Sequence, residues 1–408
     1  MTSFSKYRPF FVMGSIYLLL MQVALVGMVF TTGSIGQSDF RMFYAGGTLV
    51  RTGHGDQLYN YEKTAATESE VAGNAGASLP FNHPAYEGLL FALLSLLSYK
   101  KAFCVFFCLN IALLLMIFRL LTPAAAWIRE SWAALPAMVV AGFLPVAVCL
   151  FHGQDSILFL FIIVIAYTLL NNKKEFTAGL VLGLGMFRFQ LVLPLVVFLC
   201  FARKWRLLAG FAVTCLGAVF LSILVAGPHS LLGYPRYLLL MSAGLRSDSQ
   251  RITYGIWPTG MPNLRGLIES FCSRWLSPSA VQIVTIVASV VLMGWAIMKR
   301  LPFEMLVIAA FLVSYHSQTH DAVLLLLPLL KYTIPALVSG WKRLICWCLL
   351  VASPTVLFAF RVPLAVVALP CLAFIAAATG GKASADEPSR QEGAGAKLWT
   401  RNPGSGRA

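Results

Sequence analysis

The sequence predicts an all-α protein that crosses a membrane many times. Three observations carry this. Of its 408 residues, 59% are hydrophobic and only 12% charged, and the mean hydropathy is +0.78. A soluble chain of this length does not cover so much apolar surface. Apolar runs of about 20 residues recur, the length of helix that spans a hydrocarbon core. Basic residues gather between those runs, at Lys100-Lys101, Lys173-Lys174, Arg203-Lys204-Trp205-Arg206, Lys299-Arg300 and Lys342-Arg343. This is the arrangement of the positive-inside rule, and it accounts for the net charge of +15 without nucleic acid.

Taken in order, Lys6 and Arg8 set the N-terminus in the cytoplasm. The first run, Phe10 to Phe30, is too long for a signal-peptide core and shows no small-residue cleavage site, so it is read as a retained helix over about 10–31. Residues 33–82 form a polar external loop, with a short surface helix from Phe40 to Val50. A span over about 84–99 returns to Lys100-Lys101 inside, and another over about 102–121 leads out again. Residues 133–150 and 155–170 are both apolar, and if both spanned, Lys173-Lys174 would end outside. The first is therefore expected as a re-entrant hairpin from the outer side, broken near Pro145 and buried in protein, as irregular backbone at membrane depth must be. Residues 155–170 then span inward.

The run 176–202 is expected as two half-helices dipping in from the cytoplasm, broken around Arg188-Phe189-Gln190. Helix 206–226 exits, and a second external loop, 227–280, holds Pro228, Pro235, Pro258 and Pro262. Spans follow near 281–298, 303–315, 321–338, 343–360 and 362–379. The expectation is one membrane domain over 1–379, with about ten transmembrane helices plus re-entrant hairpins. A charged Gly/Ala/Ser-rich tail, 380–408, is expected to be disordered in the cytoplasm. Lys331 fits its span poorly and is expected to snorkel inward. Of the nine cysteines, all but Cys272 lie in or against apolar runs, so no framework of loop disulfides is visible.

This topology brings Asp39, His83, His152, Gln154, Asp155, Arg236, Arg246 and the stretch His316 to Asp321 to the outer face. Asp39 follows the first run directly. A partly desolvated carboxylate there has its pKa raised and suits a general base, while the bland alternative is a helix N-cap. In His152-Gly153-Gln154-Asp155, His152 and Gln154 are candidates to bind sugar hydroxyls or phosphate, against a simple turn capped by Asp155. Arg188 and Gln190 sit in apolar sequence, where a charge is expensive and marks function by default. The expected partner of Arg188 is a phosphate, against a structural ion pair or snorkelling. His316 and His320 share a helical face at i, i+4 and are assigned to phosphate contact. They have no clear third metal ligand, the chain has no Asp-x-Asp, and no metal or cofactor is expected. Glu68-Ser69-Glu70 is read as a solvated loop face.

Ser38-Asp39-Phe40 through Gly46-Gly47, then Gly53 and Leu58-Tyr59, resemble the opening motif of the family 87 glycosyltransferases. Leu79-Pro80-Phe81-Asn82-His83-Pro84 is similar to that family's aromatic-Pro segment. Gly153-Gln154, the Gly179 to Gly185 stretch with Arg188 and Gln190, Lys204-Trp205-Arg206 and Thr319-His320-Asp321 follow in the family's order. The resemblance implies a C-type glycosyltransferase fold and metal-independent use of a polyprenyl-phosphate sugar, often mannose. It implies a lipid-linked or glycan acceptor, an active site on the external face of the plasma membrane, and a base in the first external loop, which maps onto Asp39. Arg188 stands where the family commonly has Lys, and Asn82-His83 replaces its aromatic-Pro pair. Charge on the leaving phosphate would fall to His320, Arg188 and an external Arg such as Arg236 or Arg246. The rival reading is a transporter or flippase, which predicts repeated halves and polar groups at mid-membrane.

Overall fold

The computed structural model describes residues 8–31, 35, 38–72, 78–121, 135–243, 258–331 and 341–379. Arg246 and the tail 380–408 lie outside the described residues. The described secondary structure is helical throughout. Four segments are long and apolar enough to cross a bilayer: Tyr99–Leu121, Glu175–Phe201, Trp205–Ala226 and Pro278–Met298. Shorter apolar helices accompany them, and the chain is a multi-pass membrane protein.

Helix α1 (Arg8–Thr31) leads to a layer of short helices: α2 (Phe40–Arg51), α3 (Tyr61–Ala72) and α4 (Gly88–Leu94). This layer is held by an aromatic core. Phe43 stacks on Phe91 with ring centres 4.5 Å apart, and Phe40 lies between Phe91, Tyr99, Phe103 and Phe106. Phe40, Phe43 and Phe91 are completely buried. Buried aromatic rings of this kind remove large apolar area and fix geometry through edge and face contacts. The expected span over 84–99 does not exist. Its helical part, Ala85–Leu94, has ten residues, about 15 Å of helix against the ~30 Å of a bilayer core. Tyr44 donates to the Leu97 carbonyl at 2.7 Å, and Tyr99 donates to the Ile35 carbonyl at 2.7 Å. Residues 95–99 therefore stand at the same end of the molecule as Asp39, and Lys100-Lys101 start a crossing there.

That crossing is α5 (Tyr99–Leu121). The return is made by α6 (Leu135–Gly142) and α7 (Leu144–His152), interrupted at Phe143, whose backbone is extended. Gly142 packs against Leu18, midway along α1, while His152 reaches Asp39 beyond the end of α1. Both pieces thus climb beside α1 in one direction, and the expected re-entrant hairpin over 133–150 is a broken crossing instead. Pro145 sits in the first turn of α7, where its missing N–H removes no helical bond.

Helix α8 (Ser156–Asn171) descends. Helices α9 (Glu175–Leu184) and α10 (Phe189–Phe201) are joined by a 3-10 turn, Gly185–Arg188. Lys204 and Glu175 form a salt bridge at 2.7 Å, which closes the base of this pair. It is the expected hairpin broken at Arg188, not one straight 27-residue span. Helix α11 (Trp205–Ala226) lies beside α9 at backbone contact. A Cβ on Gly179 would meet the Leu207 carbonyl, and one on Gly210 the Phe176 carbonyl. Small residues at such crossings let helices approach within a membrane, where packing rather than water expulsion drives association.

The chain continues through α12 (Ser230–Ala243), α13 (Leu264–Cys272), α14 (Pro278–Met298) and α15 (Phe303–Val313). Helices α11 and α14 bury only 11% of their apolar windows, which leaves residues such as Phe220, Leu224, Ile283 and Val287 as a lipid-facing surface. A 3-10 turn, Thr319–Leu325, leads into helical residues 326–331, and α16 (Trp341–Ala359) and α17 (Ala368–Thr379) close the described chain. Lys331 is bound to Glu304 at 2.6 Å and lies over the Tyr167 ring. An ion pair, not snorkelling, accommodates it.

Candidate active site

The segments that meet near Asp39 each deliver one or two polar groups, and together they wall a cavity of about 850 Å³. Asp39 comes from the start of α2. His152 and Gln154 come from the α7–α8 turn, and Arg188 and Gln190 from the hairpin tip. His83 comes from the segment before α4, and His316 and His320 from the stretch after α15. All eight line the cavity, as the sequence predicts. Arg236 does not: it is exposed on α12 and absent from the lining, to which Pro235, Leu238 and Leu239 of the same helix contribute. With Val148, Phe187 and Phe189 these residues form the apolar part of the wall.

Asp39 occupies the N-cap position of α2 yet makes no capping hydrogen bond. Its carboxylate turns into the cavity with 27% of the side chain exposed. Oδ2 accepts from Gln154 Nε2 at 2.7 Å and lies 3.5 Å from His152 Nδ1. Burial pushes this carboxyl up, but the His152 contact, the nearby His320 and the Gln154 amide outweigh burial and hold it below the usual carboxylate range. The sequence predicts the opposite direction, because it shows desolvation and not the donors that converge from 115 and more residues away.

Behind Gln154 lies a buried charge network. Gly153 takes a left-handed φ of 63°, which turns the chain sharply between α7 and α8 and aims Gln154 and Asp155 at the hairpin tip. Arg188 is 5% exposed. Its Nη2 donates to Gln154 Oε1 at 2.8 Å and to Asp155, and its Nη1 lies 3.3 Å from Asp321 Oδ1. Asp321 accepts further from Ser156 Oγ and from the Gln318 backbone N–H, both at 2.8 Å. Asp155 stands at the N-cap of α8 but, like Asp39, does not cap it. The structural ion pair weighed against a phosphate ligand is therefore present, with two fully buried carboxylates facing one guanidinium.

Burial disfavours the cationic form of three of the cavity histidines. Burial drives His83 down to about 3 and His316 to about 4, and lowers His320 against the pull of Asp321. His83, Glu87 and Asp155 bring ligand-type atoms within 4.8 Å of one another. His83 Nδ1 and Glu87 Oε2 are 2.6 Å apart, however. Two ligands of a tetrahedral ion with bonds of ~2.1 Å keep about 3.3 Å between them. The two atoms stand too close to share one ion.

Two groups escaped the sequence reading. Glu68 is 2% exposed and no part of a solvated face. It pairs with Arg41 at 3.5 Å and accepts the Leu79 N–H on both oxygens, at 3.2 and 3.1 Å. Thr64 and Glu68 are both buried one turn apart on α3, and that i, i+4 spacing is the signal that was available. Glu87 also escaped, because nothing local distinguishes it.

The multi-pass helical bundle has a polar cavity at the ends of its broken helices with a carboxylate at the rim, an arrangement suited to group transfer at a membrane surface. The chain belongs to glycosyltransferase family 87, which it matches over residues 81–328. The matched region contains His83, Gln154, Arg188 and His320 and begins after Asp39. No curated protein matches the chain, and no solved structure does.

Proposed function

We propose that the protein transfers a hexosyl unit, with mannose the first candidate, from a polyprenyl-phosphate donor to an acceptor hydroxyl at the outer face of the plasma membrane. Asp39 takes the hydroxyl proton. The oxygen attacks the anomeric carbon from the side opposite the leaving group, and the bond to phosphate breaks with its electron pair going to the polyprenyl phosphate. The sugar configuration inverts, and no metal takes part at the reacting atoms. The observation that carries this reading is the Asp39 carboxylate: ionised, free of any capping role, and open to a cavity with both polar and apolar lining. The apolar lining suits the first isoprene units of a lipid donor.

The network also revises how the leaving group is stabilised. Arg188 faces two carboxylates, and burial disfavours charge on His83, His316 and His320, so hydrogen-bond donors such as Gln190, Gln318 and Thr319 along the cavity are the better candidates to meet the developing phosphate charge. Sidedness follows from charge. Lys173, Lys174, Arg203, Lys204, Lys299 and Arg300 lie at helix ends away from the cavity and outnumber Lys100 and Lys101 at the Asp39 end, which supports a cytoplasmic location for the former end and an external cavity.

The test is Asp39→Asn in a purified protein supplied with a panel of polyprenyl-phosphate sugars, reading release of polyprenyl phosphate. Asn still accepts from Gln154, so folding and donor affinity should persist while turnover falls roughly 10²–10⁴-fold. Near-normal turnover with normal expression would sink the proposal for Asp39.

A further inference from the structure

Gln154 joins the cavity to the charge network through one amide, and the two ends of an amide are not equivalent. Its oxygen only accepts, and its NH₂ only donates. A guanidinium carries no acceptor, so the Gln154 atom 2.8 Å from Arg188 Nη2 has to be the oxygen. The NH₂ is then committed to Asp39 Oδ2 at 2.7 Å. Arg188 is itself held by Asp155, on the same Nη2, and by Asp321, on Nη1, and Asp321 by Ser156 and the Gln318 N–H. Gln154 and Arg188 are each only 5% exposed, so water does not compete for these bonds. Nothing in this chain of contacts lets the amide rotate without leaving the guanidinium facing an NH₂ group.

We propose that Arg188 acts as a positioning residue that locks the Gln154 amide with its NH₂ toward Asp39, so that Asp39 is kept as an ionised acceptor with Oδ2 tied and Oδ1 presented to the cavity. The inference rests on the reading of Asp39 as base but concerns a different question, what sets its protonation and aim. It assigns Arg188, which the sequence offers as a donor-phosphate ligand, to the opposite end of the mechanism. The ionisable groups that face Asp39 are His152 and His320 across the cavity. The Glu68–Arg41 pair and Tyr99 stand behind it.

The test is infrared titration of the Asp39 carboxyl, taken as the protonated C=O band that Asp39→Asn removes, together with the pH–rate profile. In Gln154→Met the amide donor is lost, and the titration should move up by about one pH unit. The acid limb of turnover should move with it. Gln154→Glu keeps an acceptor for Arg188 but offers Asp39 a carboxylate, and should move the titration further in the same direction. Arg188→Lys keeps the charge without the planar fork, and should give a smaller shift of the same sign. A merely structural role lowers the yield of folded protein and leaves the titration where it was. An Asp39 band that titrates as in the wild type in both Gln154 variants overturns the lock. A shifted band combined with full activity in Asp39→Asn leaves the lock standing and removes Asp39 from catalysis.

Discussion

Replacing Arg188 by Met separates its two possible employments. Arg188 is 5% exposed, and Asp155 and Asp321 are completely buried. Met fills much of the same volume but leaves both carboxylates without their cation. Removing one partner of a buried ion pair typically destabilises by about 3–5 kcal/mol, because the surviving charge remains desolvated. The loss falls unevenly. Asp321 keeps Ser156 Oγ and the Gln318 N–H, whereas Asp155 keeps only the Glu87 carboxyl beside it and His83 at 3.8 Å. Adding Asp155→Asn to Arg188→Met should therefore recover about 1–3 kcal/mol, the usual size of coupling between residues in one network. The assay is denaturant or thermal unfolding of the detergent-solubilised protein, with donor binding measured on the same preparations. Unfolding of Arg188→Met at the wild-type midpoint, with donor affinity lost, would refute this reasoning and return Arg188 to the phosphate.

Three further outcomes are expected. Epitope tags inserted after Glu70 and after Ser98 should report the same side of the membrane, and a tag after Lys173 the opposite side; a tag at Ser98 that sides with Lys173 would restore the span over 84–99. Gly210→Val should destabilise by about 1–3 kcal/mol in the unfolding assay, because its side chain overlaps the Phe176 carbonyl and α9 has to shift. Gly217→Ala on the same helix, with open space around it, is the control. Burial pushes Glu68 from 4.5 up to about 7, against the Leu79 N–H and Arg41. The folded state then holds a proton that the unfolded chain releases, so this stabilisation is present below about 4.5 and is lost as pH rises through about 7. Glu68→Gln should show less loss of stability between pH 5 and 8 than the wild type, and an unchanged pH dependence would deny the shift.

Composition and periodicity were enough for a helical membrane bundle, and the broken hairpin at Arg188 was legible from a charged residue inside an apolar run. The path between residues 84 and 152 was not. Residues 84–99 have the hydropathy of a span, but they lie beside α2 because aromatic residues from three segments pack there. Residues 133–150 are expected as a hairpin because that keeps Lys173 inside. The two differences offset each other in the count of passages before residue 152, so His152, Gln154 and Arg188 still share a cavity with Asp39. Within the site, residue types at the cavity were readable because polar groups in apolar sequence are expensive. Their pairing was not readable: the donors to Asp39, the carboxylates on Arg188 and the burial of Glu68 all depend on contacts between distant segments.

The layer formed by α2, α3 and α4 finds its aromatic core among residues 40–106. It is nearly complete once the second crossing is in place. Asp39 belongs to that layer, whereas Gln154, Arg188 and Asp321 arrive with the third, fifth and later membrane passages. A nascent chain halted before the hairpin tip carries the Asp39 carboxylate and the Gln154 amide, but not the guanidinium that orients that amide. The complete constellation thus forms only after the layer that bears its carboxylate.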